Sequence, residues 1–142
     1  MIWLLRHADA EEGSPDEGRR LTPKGEKQSR TAGAALKVLG VELDICFSSP
    51  RVRAEQTARL ACEPLGVEVA IDERLSGGPF DATELAAGLD NVMLVGHDPD
   101  FSTAVHDLTG AQVRMKKGGI AVVDKGELKL LLRPRELAAI AG

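Results

Sequence analysis

The sequence predicts an α/β fold, a three-layer α/β/α sandwich in which helices cover both faces of a central, mostly parallel mixed sheet. Two observations lead to this prediction. Six short apolar segments recur along the 142 residues, and segments with helical spacing or helix-capping residues separate most of them. Several of the apolar segments are continuous rather than alternating, as expected for strands that are covered on both faces. Such alternation is typical of a largely parallel sheet between helices.

The six apolar segments each have the length of a strand. They are Ile2–Leu5, Leu43–Phe47, Val67–Ile71, Val92–Val95, Ile120–Val123 and Leu128–Leu132. The last two flank the short connection Asp-Lys-Gly-Glu at residues 124–127, which indicates a hairpin. The sheet is therefore expected to be mixed, with an antiparallel pair at its C-terminal end.

The first helix is predicted from its start and stop signals. Thr22 is a capping residue, Pro23 suits the first helical position, and Gly40 supplies the stop. Small and apolar residues follow at the spacing of one buried face, namely Ala32, Ala35, Leu36 and Leu39. Four further helices are expected, from about Val52 to Leu65, after Asp81, from about Phe101 to Leu108, and from about Pro134 to the end.

Length and composition exclude several classes of protein. The chain has the size of a single domain, residues 1–142. Nucleic acid is not an expected partner, because the chain has no Tyr, one Trp and a formal net charge of −4. No signal peptide or membrane span is evident, so a cytoplasmic location without membrane contact is expected. Cys46 and Cys62 are isolated and are expected to be reduced, packed thiols.

Residues 8–20, ADAEEGSPDEGRR, form the longest segment without periodicity. A solvated polar loop is the more frequent outcome for such a segment, but its position directly after Arg6-His7 favours a lid. In either case its acidic side chains are expected on the loop surface, where they would repel a free anionic metabolite. These side chains are Glu11, Glu12, Asp16 and Glu17.

Three segments, WLLRHAD, CFSSPRVRAEQTA and VMLVGHDPD, end an apolar run with reactive or phosphate-binding residue types. If the three strands are parallel, their carboxyl ends share one edge of the sheet, and Arg6, His7, Arg53 and His97 converge there. Guanidinium groups bind phosphate oxygens in a bidentate manner, and an imidazole near neutral pH is a nucleophile. We therefore predict a phosphoryl site without metal or cofactor, since adjacent arginines repel a cation.

Arg51 and Arg53 both lie at the start of the second predicted helix. They are two residues apart and therefore point in different directions, so only one is expected to enter the pocket. Ser48 and Ser49 precede them and are expected to cap this helix. The helix amides would then add positive potential towards an anion.

These motifs resemble those of the histidine phosphatase superfamily, also called phosphoglycerate mutase-like, and within it the short SixA-type phosphohistidine phosphatases. The resemblance covers nearly the whole chain and rests on the N-terminal RH, the serine-led SPxxRAxQT and the GH after a later strand. It implies that His7 is the phosphorylated nucleophile, that Arg6 and Arg53 bind the phosphate, and that His97 is the second pocket histidine.

The family pattern also selects between the two arginines and reveals a small departure. Arg53 lies four residues after Ser49 and precedes an alanine, as in the pattern, which leaves Arg51 at the rim of the pocket. The superfamily usually reads RHG, whereas Ala8 follows the histidine here. A glycine would allow positive φ or closer backbone approach, so the turn is expected to be ordinary.

A second departure concerns the general acid. Larger members carry an acidic glutamate after the third strand in a pattern like ELxE, but here Glu73 matches the first glutamate and Ser76 stands at the acid's place. An alkoxide leaving group needs a proton in the transition state, whereas an imidazole, with a conjugate acid of pKa about 6.5, is protonated by solvent. The difference of about nine pKa units is about 12 kcal/mol in proton affinity, so a phosphoramidate tolerates the missing acid better than an ester.

The resulting expectation is a phosphohistidine phosphatase that hydrolyses phosphoryl groups from protein histidine through a covalent phosphohistidine on His7. The resemblance implies a phosphohistidine-bearing protein as partner, either a histidine phosphotransfer domain or a phosphotransferase-system protein, with inorganic phosphate as product. Two alternatives stay open. One is a small-molecule phosphomonoesterase that uses Asp9 or Asp81 as its acid, and the other is a non-catalytic phosphate-binding module.

Overall fold

The computed structural model describes the whole chain, Met1–Gly142, and contains six strands and five helices. No helix combines the length and the apolar character that crossing a membrane requires. In chain order the elements are β1 (Ile2–Arg6), α1 (Pro23–Val38), β2 (Ile45–Ser48), α2 (Val52–Cys62), β3 (Val69–Ile71), α3 (Ala82–Ala86), β4 (Val92–Gly96), α4 (Asp100–Thr109), β5 (Ile120–Asp124), β6 (Glu127–Leu132) and α5 (Pro134–Ala141).

The strands form one sheet in the order β3-β2-β4-β1-β5-β6. The first four in this order are mutually parallel, whereas β5 runs antiparallel to both β1 and β6. The predicted α/β class with a mostly parallel, mixed sheet is therefore confirmed. The carboxyl ends of β1, β2, β3, β4 and β6 and the amino end of β5 lie along one border, which we call the carboxyl edge.

Two apolar cores cover the two faces of the sheet. Alternate residues of β1 contribute to the two cores, because successive side chains of a strand point to opposite faces of the sheet. Trp3 and Leu5 pack with residues of α1, α2 and α5, and Ile2 and Leu4 pack with residues of α3 and α4. Gly33 permits the close contact between α1 and α2, because a Cβ there would lie 2.3 Å from the Ala61 carbonyl oxygen.

Local sequence signals predicted most ends of the helices and strands correctly. The Thr22 hydroxyl accepts a hydrogen bond from the Gly25 amide at 3.0 Å and so caps α1, as predicted. The hairpin between β5 and β6 is confirmed, with Lys125 and Gly126 both at positive φ, as a type I′ hairpin turn requires. The second helix is shorter than predicted, because α2 ends at Cys62 and the chain continues in a 3-10 turn.

Candidate active site

His7 follows β1 at the carboxyl edge, beside the end of β4. Its amide donates to the Gly96 carbonyl oxygen at 2.9 Å, which fixes the backbone at this point. Its Nδ1 lies 2.8 Å from the Ala8 carbonyl oxygen. Because a carbonyl oxygen only accepts hydrogen bonds, Nδ1 carries the proton and Nε2 keeps a lone pair. The imidazole is thus held in the tautomer that a nitrogen nucleophile requires.

His97 follows β4, and the centroid of its ring lies 5.3 Å from that of His7. Its Nε2 lies 2.7 Å from the hydroxyl oxygen of Ser49, which follows β2. The prediction that Ser48 and Ser49 cap α2 is wrong: α2 begins at Val52 without a side-chain cap, and the Ser48 hydroxyl donates to the Ser49 carbonyl. The Ser49 hydroxyl accepts from the Arg51 amide at 3.2 Å, directly before α2, but does not reach the first-turn amides, and it also contacts the His97 imidazole.

Buried nitrogens without a protein partner are concentrated at this site. The side-chain atoms concerned are Trp3 Nε1, Arg6 Nε, Arg53 Nε and His97 Nδ1, so three of the four belong to residues predicted for the site. Burial of a polar group without a partner costs about 1–3 kcal/mol and is therefore rare in native structures. Unpartnered nitrogens are thus concentrated among the residues predicted for the site.

The two arginines near the start of α2 differ in burial and in contacts. Arg53 is 5% exposed. Arg51 is half-buried and donates through Nε to the Ser76 carbonyl oxygen at 2.6 Å. The main chain at the position of the family's general acid thus holds Arg51 in place. Arg53 is thus the more buried of the two, as expected for the arginine that enters the pocket.

Asp16 makes a contact that the sequence did not predict. Its carboxylate pairs with Arg51 and, at 3.2 Å, with Arg53, whose Nη1 also donates to the Asp16 carbonyl oxygen at 2.8 Å. Desolvation raises the pKa of the Asp16 carboxyl, but the hydrogen bonds and charges of Arg53 and Arg19 outweigh it and hold the pKa below its usual value. Asp16 is exposed on the loop surface, as expected, but its ionised carboxylate also contacts the arginines, so this part of the segment 8–20 lies against the site as a lid would.

Asp16 is expected to compete with a phosphoryl group for Arg53. The variant Asp16→Asn should therefore bind inorganic phosphate about three- to fivefold more tightly, as expected when the partly exposed carboxylate no longer competes for Arg53. Titration calorimetry with inorganic phosphate measures the effect. The control is Glu17→Gln, which makes the same change in net charge at the exposed neighbouring position. Equal or weaker phosphate binding by Asp16→Asn would contradict the competition.

Both site histidines are neutral at pH 7 in the free protein. Burial lowers the pKa of His7 to about 4, assisted by the positive charges of Arg53, Arg6 and Lys117 and opposed by the hydrogen bond to Ala8. Burial likewise lowers the pKa of His97 to about 3. A neutral His7 is nucleophilic. An imidazolium at His97 requires a bound phosphoryl anion, whose negative charge raises the pKa of a neighbouring imidazole.

The low pKa values of these histidines predict an acid-sensitive fold. The unfolded imidazoles titrate near 6.5, so between that pH and the folded values the unfolded state binds more protons. The stabilisation that comes from keeping these two imidazoles neutral is therefore fully present well above pH 6.5. It is lost as the pH falls towards their folded pKa values. From about pH 7.5 to about pH 5 we expect a loss of about 2 kcal/mol for each histidine. Urea unfolding at the two pH values measures it.

Substitutions separate this effect from general acid destabilisation. His97→Asn removes one of the two buried imidazoles and should reduce the pH-dependent loss by about half, because each contributes about equally. His106→Asn changes an exposed histidine and should leave the loss as in the wild type. An undiminished loss in His97→Asn would show that other groups control the acid sensitivity.

The carboxylates proposed as alternative acids have other contacts. Asp81 caps α3 by accepting hydrogen bonds from the amides of Thr83 and Glu84, and its hydrogen bond from the Thr83 hydroxyl lowers its pKa. An ionised carboxylate of this kind does not donate a proton. Asp9 accepts a hydrogen bond from the Thr22 hydroxyl at 2.7 Å. Asp81 therefore does not stand as a ready general acid in this arrangement.

Comparison with known proteins adds independent evidence. The profile of the histidine phosphatase superfamily (branch 1) matches residues 2–87. An uncharacterised protein of Picosynechococcus sp. is 31% identical over 144 residues, which cover 91% of this chain and 87% of that protein. A 2,3-bisphosphoglycerate-dependent phosphoglycerate mutase of Methylobacterium sp. is 36% identical over 101 residues, or 63% of this chain and 47% of the mutase. This chain therefore corresponds to about half of that mutase.

The fold is shared with a solved phosphatase. The structure of the protein histidine phosphatase SixA complexed with tungstate aligns with a TM-score of 0.82 and 24% identity, covering 96% of this chain and 98% of that chain. The matched profile spans more than half of this chain and contains Arg6, His7 and Arg53. On this evidence the chain belongs to the histidine phosphatase superfamily.

Proposed function

We propose that this protein is a phosphohistidine phosphatase that hydrolyses phosphoryl groups from protein histidine through a phosphohistidine on His7. The observation that carries the proposal is the neutral His7 imidazole, with Nδ1 bound to the Ala8 carbonyl and its ring 5.3 Å from that of His97. The superfamily indicates phosphatase activity, and the structural likeness to SixA supports the choice of phosphohistidine as substrate.

The first step of the proposed mechanism transfers the phosphoryl group to His7. Nε2 attacks the phosphorus in line, and the bond from phosphorus to the substrate imidazole breaks as the new P–N bond forms. The leaving imidazole takes its proton from solvent. Arg6 and Arg53 stabilise the charge on the equatorial oxygens, because a guanidinium group binds phosphoryl oxygens in a bidentate manner.

The second step regenerates the protein. Water attacks the phosphorus of phospho-His7, the P–O bond forms, and the P–N bond to Nε2 breaks. The products are inorganic phosphate and the free imidazole, and the step requires no general acid because imidazole is again the leaving group. His97, held by its 2.7 Å contact with Ser49, lies where it can bind a phosphoryl oxygen during both steps.

The chemistry of the leaving group distinguishes this proposal from the small-molecule alternative. The main chain of Ser76 binds Arg51, and Asp81 is an ionised helix cap, so neither supplies a proton to an alkoxide. We therefore expect turnover to decrease as the leaving group becomes a stronger base. A phosphomonoesterase with its own acid would instead accept alkyl phosphates well.

Turnover of three substrates tests the proposal. They are a phosphorylated histidine phosphotransfer domain, p-nitrophenyl phosphate, whose leaving group is a weak base, and phosphoserine, whose leaving group is a strong base. The expected order of kcat/KM is phosphohistidine protein, then the aryl ester, then phosphoserine, with the first and last at least about 10²-fold apart, as for loss of general acid catalysis. Preference for phosphoserine would contradict the proposal and favour the phosphomonoesterase.

A further inference from the structure

A cavity of about 520 Å³ opens at the carboxyl edge next to Arg6, and none of the residues that line it is hydrophobic. We call it the basic groove. Its cationic side chains are Arg6, Lys24, Lys116, Lys117, Arg133 and Arg135. Pockets for small ligands are mostly apolar and enclosed. The composition of this groove is instead that of a polar contact surface.

The topology of the sheet brings these cations together. The amino end of β5 and the carboxyl end of β6 lie beside the carboxyl end of β1, where Ile120 pairs with both Leu5 and Leu132. The segment before β5 is joined to the catalytic segment, because the Gly118 amide contacts the carbonyl oxygens of Arg6 and His7, both at 3.1 Å. Antiparallel pairing therefore brings Lys116, Lys117 and the start of α5 into one cavity with Arg6.

Much of the positive charge in the basic groove is uncompensated. Glu136 neutralises Arg133 through a contact of 2.8 Å and lies 3.8 Å from Arg135. In contrast, the exposed lysines Lys24, Lys116 and Lys117 have no acidic partner within 4.0 Å, and they belong to a chain with a net charge of −4. The positive potential is thus a local feature, which attracts an anionic surface and steers its approach.

The basic groove is continuous with the candidate active site. Arg6 lines the groove, and its Nη1 donates to the Met115 carbonyl oxygen at 2.8 Å, immediately before the two lysines of the segment that precedes β5. Lys117 is close enough to His7 for its charge to contribute to the low pKa of that imidazole. A molecule bound along the groove therefore lies against Arg6, the residue before the candidate nucleophile.

We propose that the basic groove docks an acidic surface of the phosphohistidine-bearing protein and so presents its phosphoryl group to His7. The inference rests on the proposed function and identifies the kind of partner surface that it requires. Apart from the half-buried Arg6, the groove cations are exposed and come from three separate chain segments, which matches contact with a protein surface better than enclosure of one small anion.

Charge reversal at two groove lysines tests the proposal. The double variant Lys24→Glu/Lys116→Glu changes residues without a proposed catalytic role, and Lys125→Glu/Lys129→Glu makes the same change in net charge on the β5–β6 hairpin. Two substrates are compared, an acidic phosphorylated histidine phosphotransfer domain and phosphoimidazole. The groove variant should raise KM for the phosphoprotein about tenfold and leave kcat/KM for phosphoimidazole within about twofold. The KM for the phosphoprotein should also depend less on salt concentration than in the wild type.

Each other outcome has a defined meaning. An unchanged KM for the phosphoprotein in the groove variant, or an equal rise in the hairpin variant, overturns the docking inference alone. An equal loss on both substrates shows that the lysines act on the chemical step, which also overturns it. If the wild type hydrolyses phosphoimidazole but not the phosphoprotein, the proposed protein substrate fails and the docking inference fails with it.

Discussion

The variant His7→Ala is expected to lose at least about 10³-fold in phosphatase activity and to form no covalent phosphoryl adduct, because the attacking lone pair on Nε2 is removed. Brief reaction with a radiolabelled phosphohistidine protein, followed by an alkaline quench and electrophoresis, measures the adduct. In the wild type the label should be stable in alkali and released by acid, as a phosphoramidate is.

His106→Ala is the matched control for this experiment. It removes an exposed imidazole on α4 and should keep both the adduct and the activity. Persistence of the adduct in His7→Ala would assign the nucleophile to another residue. A wild-type protein that binds phosphate but forms no adduct and shows no turnover would instead support the non-catalytic phosphate-binding module.

Arg53→Met should lower kcat by about 10²- to 10³-fold, the range for loss of one preorganised donor to a developing oxyanion. Arg53 is buried, and its guanidinium contacts only the exposed Asp16, with which a phosphoryl group would compete. Methionine keeps much of the length of the side chain and removes the charge. Steady-state kinetics on phosphoimidazole measures the effect without a contribution from protein docking.

Arg51→Met is the matched control, two residues earlier in the chain. Its Nε is bound to the Ser76 carbonyl, so its loss should change kcat by less than about tenfold, below the range for a preorganised donor. Arg53→Lys adds a second comparison, because it keeps the positive charge but loses the bidentate fork and should recover only part of the activity. A larger effect at Arg51 than at Arg53 would exchange their proposed roles.

The fold was predictable because its signals are local. Continuous apolar segments marked the covered strands, and the capping residue Thr22 marked the start of α1. Errors occurred where the boundary depends on distant contacts. The strands predicted to begin at Leu43 and Val67 begin at Ile45 and Val69, because only the residues that find a hydrogen-bonded neighbour join the sheet.

The sequence predicted only part of the candidate site. The motifs indicated Arg6, His7, Arg53 and His97 as site residues, because each of them follows a predicted strand or lies at the start of a predicted helix. Their catalytic roles remain predictions, but their proximity follows from parallel strands that share an edge. Asp16 lay outside the motifs, in a loop whose only signal was its acidic composition.

By itself the sequence determined the class of fold, the family and the residue types that bring phosphoryl chemistry to the carboxyl edge. Periodicity, caps and motif spacing depend on residues that are close in the chain, so the sequence alone shows each of them. Only the tertiary structure decided that Ser49 binds His97, that Asp16 covers Arg53, and that lysines before β5 border the site. Such contacts join residues that are distant in the chain, and their energies depend on separations and burial that linear spacing does not encode.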